Sequence, residues 1–139
     1  MPTKAQFIAR ADSICARTNA KLKPAQKRLK ALPGESASES AAYAALRAAA
    51  AALRQGATIT REGIAQLQAL TVPQGDATTV QKIITALDDE AADIDNMASA
   101  TASGEASAIE AAKRAEQTTK ATYGGLAQGY GFKVCGASS

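Results

Sequence analysis

The sequence predicts an all-α protein: an up-down-up-down four-helix bundle closed by a terminal disulfide. Three observations carry this. Apolar residues recur at steps of three and four in four long segments. Short stretches rich in Pro, Gly and Ser separate those segments. The two cysteines, Cys15 and Cys135, stand close to opposite ends of the 139-residue chain, a length that suits one domain.

The first segment opens on a capping box, Thr3 with Gln6, backed by Phe7 and Ile8. Phe7, Ala11, Ile14 and Thr18 then mark one stripe, and Ile8, Cys15 and Leu22 its neighbour. Pro24 interrupts the pattern, so a kink or break is expected near Lys21 to Lys23 before Leu29 and Leu32 resume the apolar side. The stop "LPGES" follows, with a break over Pro33 to Glu35. Ser36 with Glu39 reads as a second capping box, and Tyr43, Leu46, Ala50, Leu53, Ala57, Thr60, Ile64 and Leu67 as the second seam. Gly56 and Gly63 lie inside this helix, where each bends it or admits a close neighbour.

"TVPQGD" ends that helix, with the break at Thr71 to Gly75, and Asp76 is placed to cap the third. Its seam is Val80, Ile83 with Ile84, Leu87, Ala91, Ile94 and Ala98. After a break at Ala102 to Gly104, Ile109, Ala112, Thr119, Tyr123 and Leu126 define the fourth, with Glu116 as a polar interruption. The expected helices are thus 3–32, 36–70, 76–101 and 105–128, followed by a clasp over 129–136. Small residues on the middle seams predict close helix contacts and no ligand-sized pocket in the core.

The closing stretch "GYGFKVCG" explains the clasp. In an antiparallel bundle the end of the fourth helix lies near the start of the first. Gly129 and Gly131 permit a reversal. Two turns of chain then bring Cys135 beside Cys15, while Tyr130, Phe132 and Val134 cover the open end of the core. Such a bond would contribute roughly 4–5 kcal/mol on the loop-entropy account. It would also point to an oxidising compartment. The competing reading is two buried free thiols acting as small hydrophobes; the matching heights of the two residues favour the bond.

"FIARADSIC", Phe7 to Cys15, and "YGFKVCG", Tyr130 to Gly136, resemble the two ends of a loose group of alanine-rich, secreted or lipid-anchored, mostly uncharacterised actinobacterial helical proteins. The resemblance covers both ends and only the general character of the middle. It implies an envelope-exported bundle with a terminal disulfide, hence a secreted or cell-envelope location, and no activity. The opening "MPTKAQF" carries no leader pattern, so the chain is either cytosolic as it stands or a form from which a leader has been removed. No apolar run reaches transmembrane length.

The composition also limits the chemistry. The chain has no His, which removes a Ser-His-Asp triad, the commonest general base and the commonest transition-metal ligand. Two cysteines make neither a structural zinc site nor a CxxC pair. No catalytic residues, metal or cofactor are expected, and the protein is expected not to be an enzyme. Arg17, Lys21, Lys23, Lys27, Arg28 and Lys30 form a basic stretch, read either as a polyanion-binding face or as a solvated surface. The net charge of +3 and the lack of interleaved aromatics argue against nucleic acid. Asp88, Asp89, Glu90, Asp93 and Asp95 form an acidic stretch, a weak divalent-cation site or again a solvated face. Glu116 reads as a buried acid, a partner of Lys113 or Lys120, or a residue at the edge of its seam. Tyr43, Tyr123, Tyr130 and Phe132 either line a small ligand pocket or plug the bundle.

Two functions of different class remain. The first is a structural or interaction module acting through helix surfaces, on an unknown protein partner or by self-association. The second is a carrier of a small apolar ligand held between the helices; a core pocket lined by Tyr43 or Tyr123 would favour it.

Overall fold

In the computed structural model, which describes residues 1–31 and 38–137, the chain forms four α-helices. They are α1 (Lys4–Lys30), α2 (Glu39–Gln68), α3 (Ala77–Ser103) and α4 (Ala106–Tyr130). No strand occurs among the described residues. Leu32, the break expected at Pro33 to Glu35 and the cap expected at Ser36 lie outside those residues.

Several helix ends have a local reason. The Thr3 hydroxyl accepts the Gln6 backbone N–H at 3.1 Å, and the Gln6 side chain accepts the Thr3 N–H at 2.9 Å, completing the capping box. Basic Lys27, Arg28 and Lys30 close α1, where they suit the negative end of the helix dipole. The N-cap of α2 is Ser38, whose hydroxyl accepts the Ala41 N–H. Gly104 and Gly131 end α3 and α4 with φ of 72° and 114°, the left-handed conformation that glycine tolerates.

Several sequence expectations need correction. Helix α1 runs through Pro24 without a break, which removes that one of the two outcomes expected there. Pro24 and Ala20, whose carbonyl loses its helical partner there, are both exposed, so the lost bond falls on the solvent side of the helix. Asp76 occupies the N-cap position of α3 but makes no capping bond; its carboxylate instead accepts the Tyr130 hydroxyl at 2.7 Å. The reversal belongs to Gly131 alone, because Gly129 stays helical within α4. Tyr43 is 61% exposed, and Leu126 37%. The final turns of α4 bury Tyr123, Ala127 and Tyr130 instead.

The core is concentrated toward one pole. There Phe7, Ala11 and Ile14 of α1 meet Ile64 and Leu67 of α2, the first turns of α3 and the end of α4. Phe7 and Tyr130 pack edge to face at 6.1 Å, and Phe132 of the tail closes the group. Lys4 places its Nζ 4.5 Å from the Tyr130 ring centroid. The other half of α2 buries mainly alanines, Ala49, Ala50, Ala52 and Ala57, which fill little volume.

Helix α1 packs on α2, α2 on α3 and α3 on α4, whereas the backbones of α1 and α4 stay apart and the two helices meet only through side chains at the pole, where Phe7 and Lys4 reach Tyr130. Close approach between α1 and α2 depends on glycine: a Cβ on Gly63 would stand 2.6 Å from Thr18 Oγ1. The middle of α4 is short of large apolar side chains, since Ala112, Glu116 and Thr119 stand on its seam, so it has little to bury against α1. The covalent link to α1 is made by the tail after Gly131, through the Cys15–Cys135 disulfide with Cα atoms 5.3 Å apart.

Candidate functional site

Away from the pole, the separation of α1 and α4 leaves a cavity of about 750 Å³ that is about half open to solvent. Alanine seams bring α2 close to its neighbours, but small residues on α2 and α4 cannot fill the space that the separated outer helices enclose. This overturns the expectation of a core without a pocket. Leu22 and Leu29 of α1, Leu53 of α2, and Ile94 and Met97 of α3 give the cavity an apolar lining. The tail completes the wall through Val134, Cys135, Gly136 and Ala137.

The charged lining is sparse and one-sided. Among the described residues it consists of Glu90 on α3 with Glu116 and Lys120 on α4. Leu87, Glu90, Ile94 and Met97 follow one another at steps of three, four and three, so Glu90 stands in the apolar stripe that faces the cavity. Burial raises the Glu90 carboxyl to about 7, the negative charge of Glu116 adds to this, Lys120 opposes it, and Asp93 contributes a further rise. Across the cavity α1 and α2 offer neutral polar groups only, including Asn19, Gln26 and Thr60.

Of the aromatics singled out from sequence, Tyr123 lines the cavity. It is 7% exposed, and burial, reinforced by the Glu90 charge, holds its phenol protonated well above the usual range. Tyr130 and Phe132 belong to the aromatic plug at the pole, and exposed Tyr43 does not line the cavity. All six residues of the basic stretch, Arg17, Lys21, Lys23, Lys27, Arg28 and Lys30, are exposed along α1. Arg17 donates to Ser13 and Arg28 to Gln55.

The acidic stretch is divided among different tasks. Asp88 and Asp89 are exposed, Asp93 accepts the Thr119 hydroxyl, and Asp95 pairs with Arg61 at 2.7 Å. No group of residues suited to hold a metal ion occurs among the described residues.

Two residues were missed by sequence reasoning. Glu90 was grouped with its acidic neighbours, although its spacing from Leu87, Ile94 and Met97 signals an inward position. Asp12 was not singled out at all. Its carboxylate accepts the backbone N–H groups of Lys133 at 3.0 Å, Val134 at 3.0 Å and Cys135 at 2.9 Å. The available signal was that Asp12 is the sole acid within α1.

Comparison of the chain with protein-family models, curated proteins and solved structures finds no match. The class defined by fold and site is therefore a disulfide-clasped four-helix bundle with a cavity between its first and last helices. No helix among the described residues is long and apolar enough to cross a membrane.

Proposed function

We propose that this protein is a non-enzymatic carrier that holds a small apolar or amphipathic ligand between α1 and α4. The observation that carries this reading is the cavity of about 750 Å³ lined by Tyr123 and by apolar side chains from the helices. Ligand sites commonly measure about 300–1,000 Å³, with mostly apolar walls and a few polar groups that orient the guest. A structural or interaction module needs only its outer surfaces and gives no account of such a volume. The Cys15–Cys135 bond supports placing the carrier outside the cytosol, in a secretion or envelope compartment where disulfides persist. The resemblance of both chain ends to exported proteins points the same way. The lack of His, the commonest general base, supports the non-enzymatic reading.

The test is fluorescence of the neutral apolar probe N-phenylnaphthylamine with the oxidised protein and with a Leu53→Trp variant that fills the cavity. Saturable enhancement, lost in the variant while helicity is kept, is the expected result. Absence of enhancement, or enhancement indifferent to the substitution, would sink the reading.

A further inference from the structure

We infer that the ligand is an amphiphile with a cationic amine head, held between Glu90 and Glu116, and an apolar tail directed toward Leu22, Leu53, Ile94 and Met97. This rests on the carrier reading and specifies its ligand class. Three features of the cavity lead to it.

The first is charge. With both carboxylates ionised, Glu90 and Glu116 outweigh Lys120 by one negative charge, and α1 and α2 bring no charged side chain to the cavity. An anionic head would face two carboxylates for one ammonium. A cation relieves the repulsion between the carboxylates, and the partly dry setting strengthens that attraction relative to water.

The second is placement. In the stripe Leu87, Glu90, Ile94 and Met97 the carboxylate is flanked by apolar lining on one helix face, by Leu87 on one side and by Ile94 and Met97 on the other. The longer apolar run lies on the Met97 side, so a head at Glu90 sends its tail along Ile94 toward Met97, with Leu22 and Leu53 on the facing helices. The glutamates stand on separate helices, Glu90 on α3 and Glu116 on α4, so an ammonium with several N–H donors can serve both.

The third is the protonation of Glu90. Burial and the neighbouring Glu116 charge hold the Glu90 carboxyl at about 7, with Lys120 opposing and Asp93 adding to the rise; Tyr123, the other titratable group beside it, stays protonated. An entering cation favours ionised Glu90 and releases its proton, so affinity for the amine rises with pH through that value.

The experiment is calorimetric titration of the full oxidised chain with decylamine, decanol and decanoate, which share one tail length and differ in head charge. Near pH 8 decylamine should bind about tenfold more tightly than decanol, the size of one charge-assisted hydrogen bond, with decanoate weakest. The preference should shrink below about pH 6 as Glu90 takes up its proton. Shortening the amine should cost about fourfold per methylene. Glu90→Gln and Glu116→Gln should each reduce the preference for amine, whereas Lys120→Gln should increase it, an opposite sign that loss of folding would not produce. Decanol bound as well as decylamine, decanoate bound better, or glutamate variants with undiminished preference would overturn the amine assignment and leave the carrier reading in place. Failure of all three compounds to bind would remove both.

Discussion

The Asp12 carboxylate accepts the backbone N–H of Cys135 at 2.9 Å, one helical turn before Cys15, to which Cys135 is bonded. Lys133 and Val134 donate to the same carboxylate, so three consecutive tail amides converge on one side chain of α1. Such a group of amides forms a concave, partly positive cradle suited to an anion. The clasp is thus covalent at Cys15 and electrostatic at Asp12. Asp12→Ala should lower stability by about 2 kcal/mol, the range for hydrogen bonds to a charged acceptor, measured by urea unfolding. Asp12→Asn should lose less, since its amide oxygen still accepts at one position. An unchanged unfolding midpoint in both would show that the disulfide alone holds the tail.

The bond between Cys15 and Cys135 closes a sequence separation of 120 residues. On the loop-entropy account this contributes roughly 4–5 kcal/mol. Reduction, or the double change Cys15→Ser with Cys135→Ser, should therefore cost up to several kcal/mol. Because the tail also walls the cavity, probe affinity should fall with it. Equal probe binding by oxidised and reduced protein, under conditions where both remain helical, would separate the clasp from the cavity.

Glu90 gives stability a particular pH dependence. Its carboxyl ordinarily titrates near 4.5 and in the folded protein near about 7, chiefly through burial and then the Glu116 charge. Between those values the folded state binds more protons than the unfolded one. The contribution is therefore full below about pH 4.5 and is lost as pH rises through about 7. Thermal unfolding of Glu90→Gln should show a flatter decline over this window than the parent protein. Parallel profiles would mean that Glu90 is not the group responsible.

Glycine positions separate close packing from chain reversal. A Cβ on Gly63 would meet Thr18 Oγ1 at 2.6 Å, so Gly63→Ala should destabilise by about 1–3 kcal/mol through overpacking between α1 and α2. Gly129 is exposed, helical and has open space around its Cβ direction. Gly129→Ala should therefore stabilise, by up to about 1 kcal/mol. Chemical denaturation of the two variants checks both signs, and a stabilising Gly63→Ala would contradict the close approach.

The same particulars show what was legible in the sequence. Thr3 and Gln6 disclosed the start of α1, and the helical register of Cys15 together with the antiparallel order of four segments disclosed the clasp. Those are local signals, or follow from topology alone. Asp12 stayed hidden because its partners are backbone amides, which have no residue identity to match. Glycines bracket Tyr130, and only the folded backbone distinguishes helical Gly129 from left-handed Gly131. The cavity was illegible for a different reason. Periodicity shows which face of a helix turns inward, but not whether the first and last helices meet. Alanine seams promised tight packing, which α2 makes with its neighbours, while the space between α1 and α4 is left unfilled.

Methionine supplies the most direct test of the cavity as a ligand site. The chain has two methionines, Met97 in the cavity lining and Met1, which is 86% exposed. Methyl NMR of methionine-labelled protein titrated with decylamine, and separately with N-phenylnaphthylamine, reads one reporter inside the proposed site and one outside it. The carrier account predicts saturable shifts of the Met97 methyl, with Met1 unmoved and the Met97 shifts abolished in Leu53→Trp. A Met97 signal indifferent to both compounds, or one that moves only in step with Met1, would contradict it.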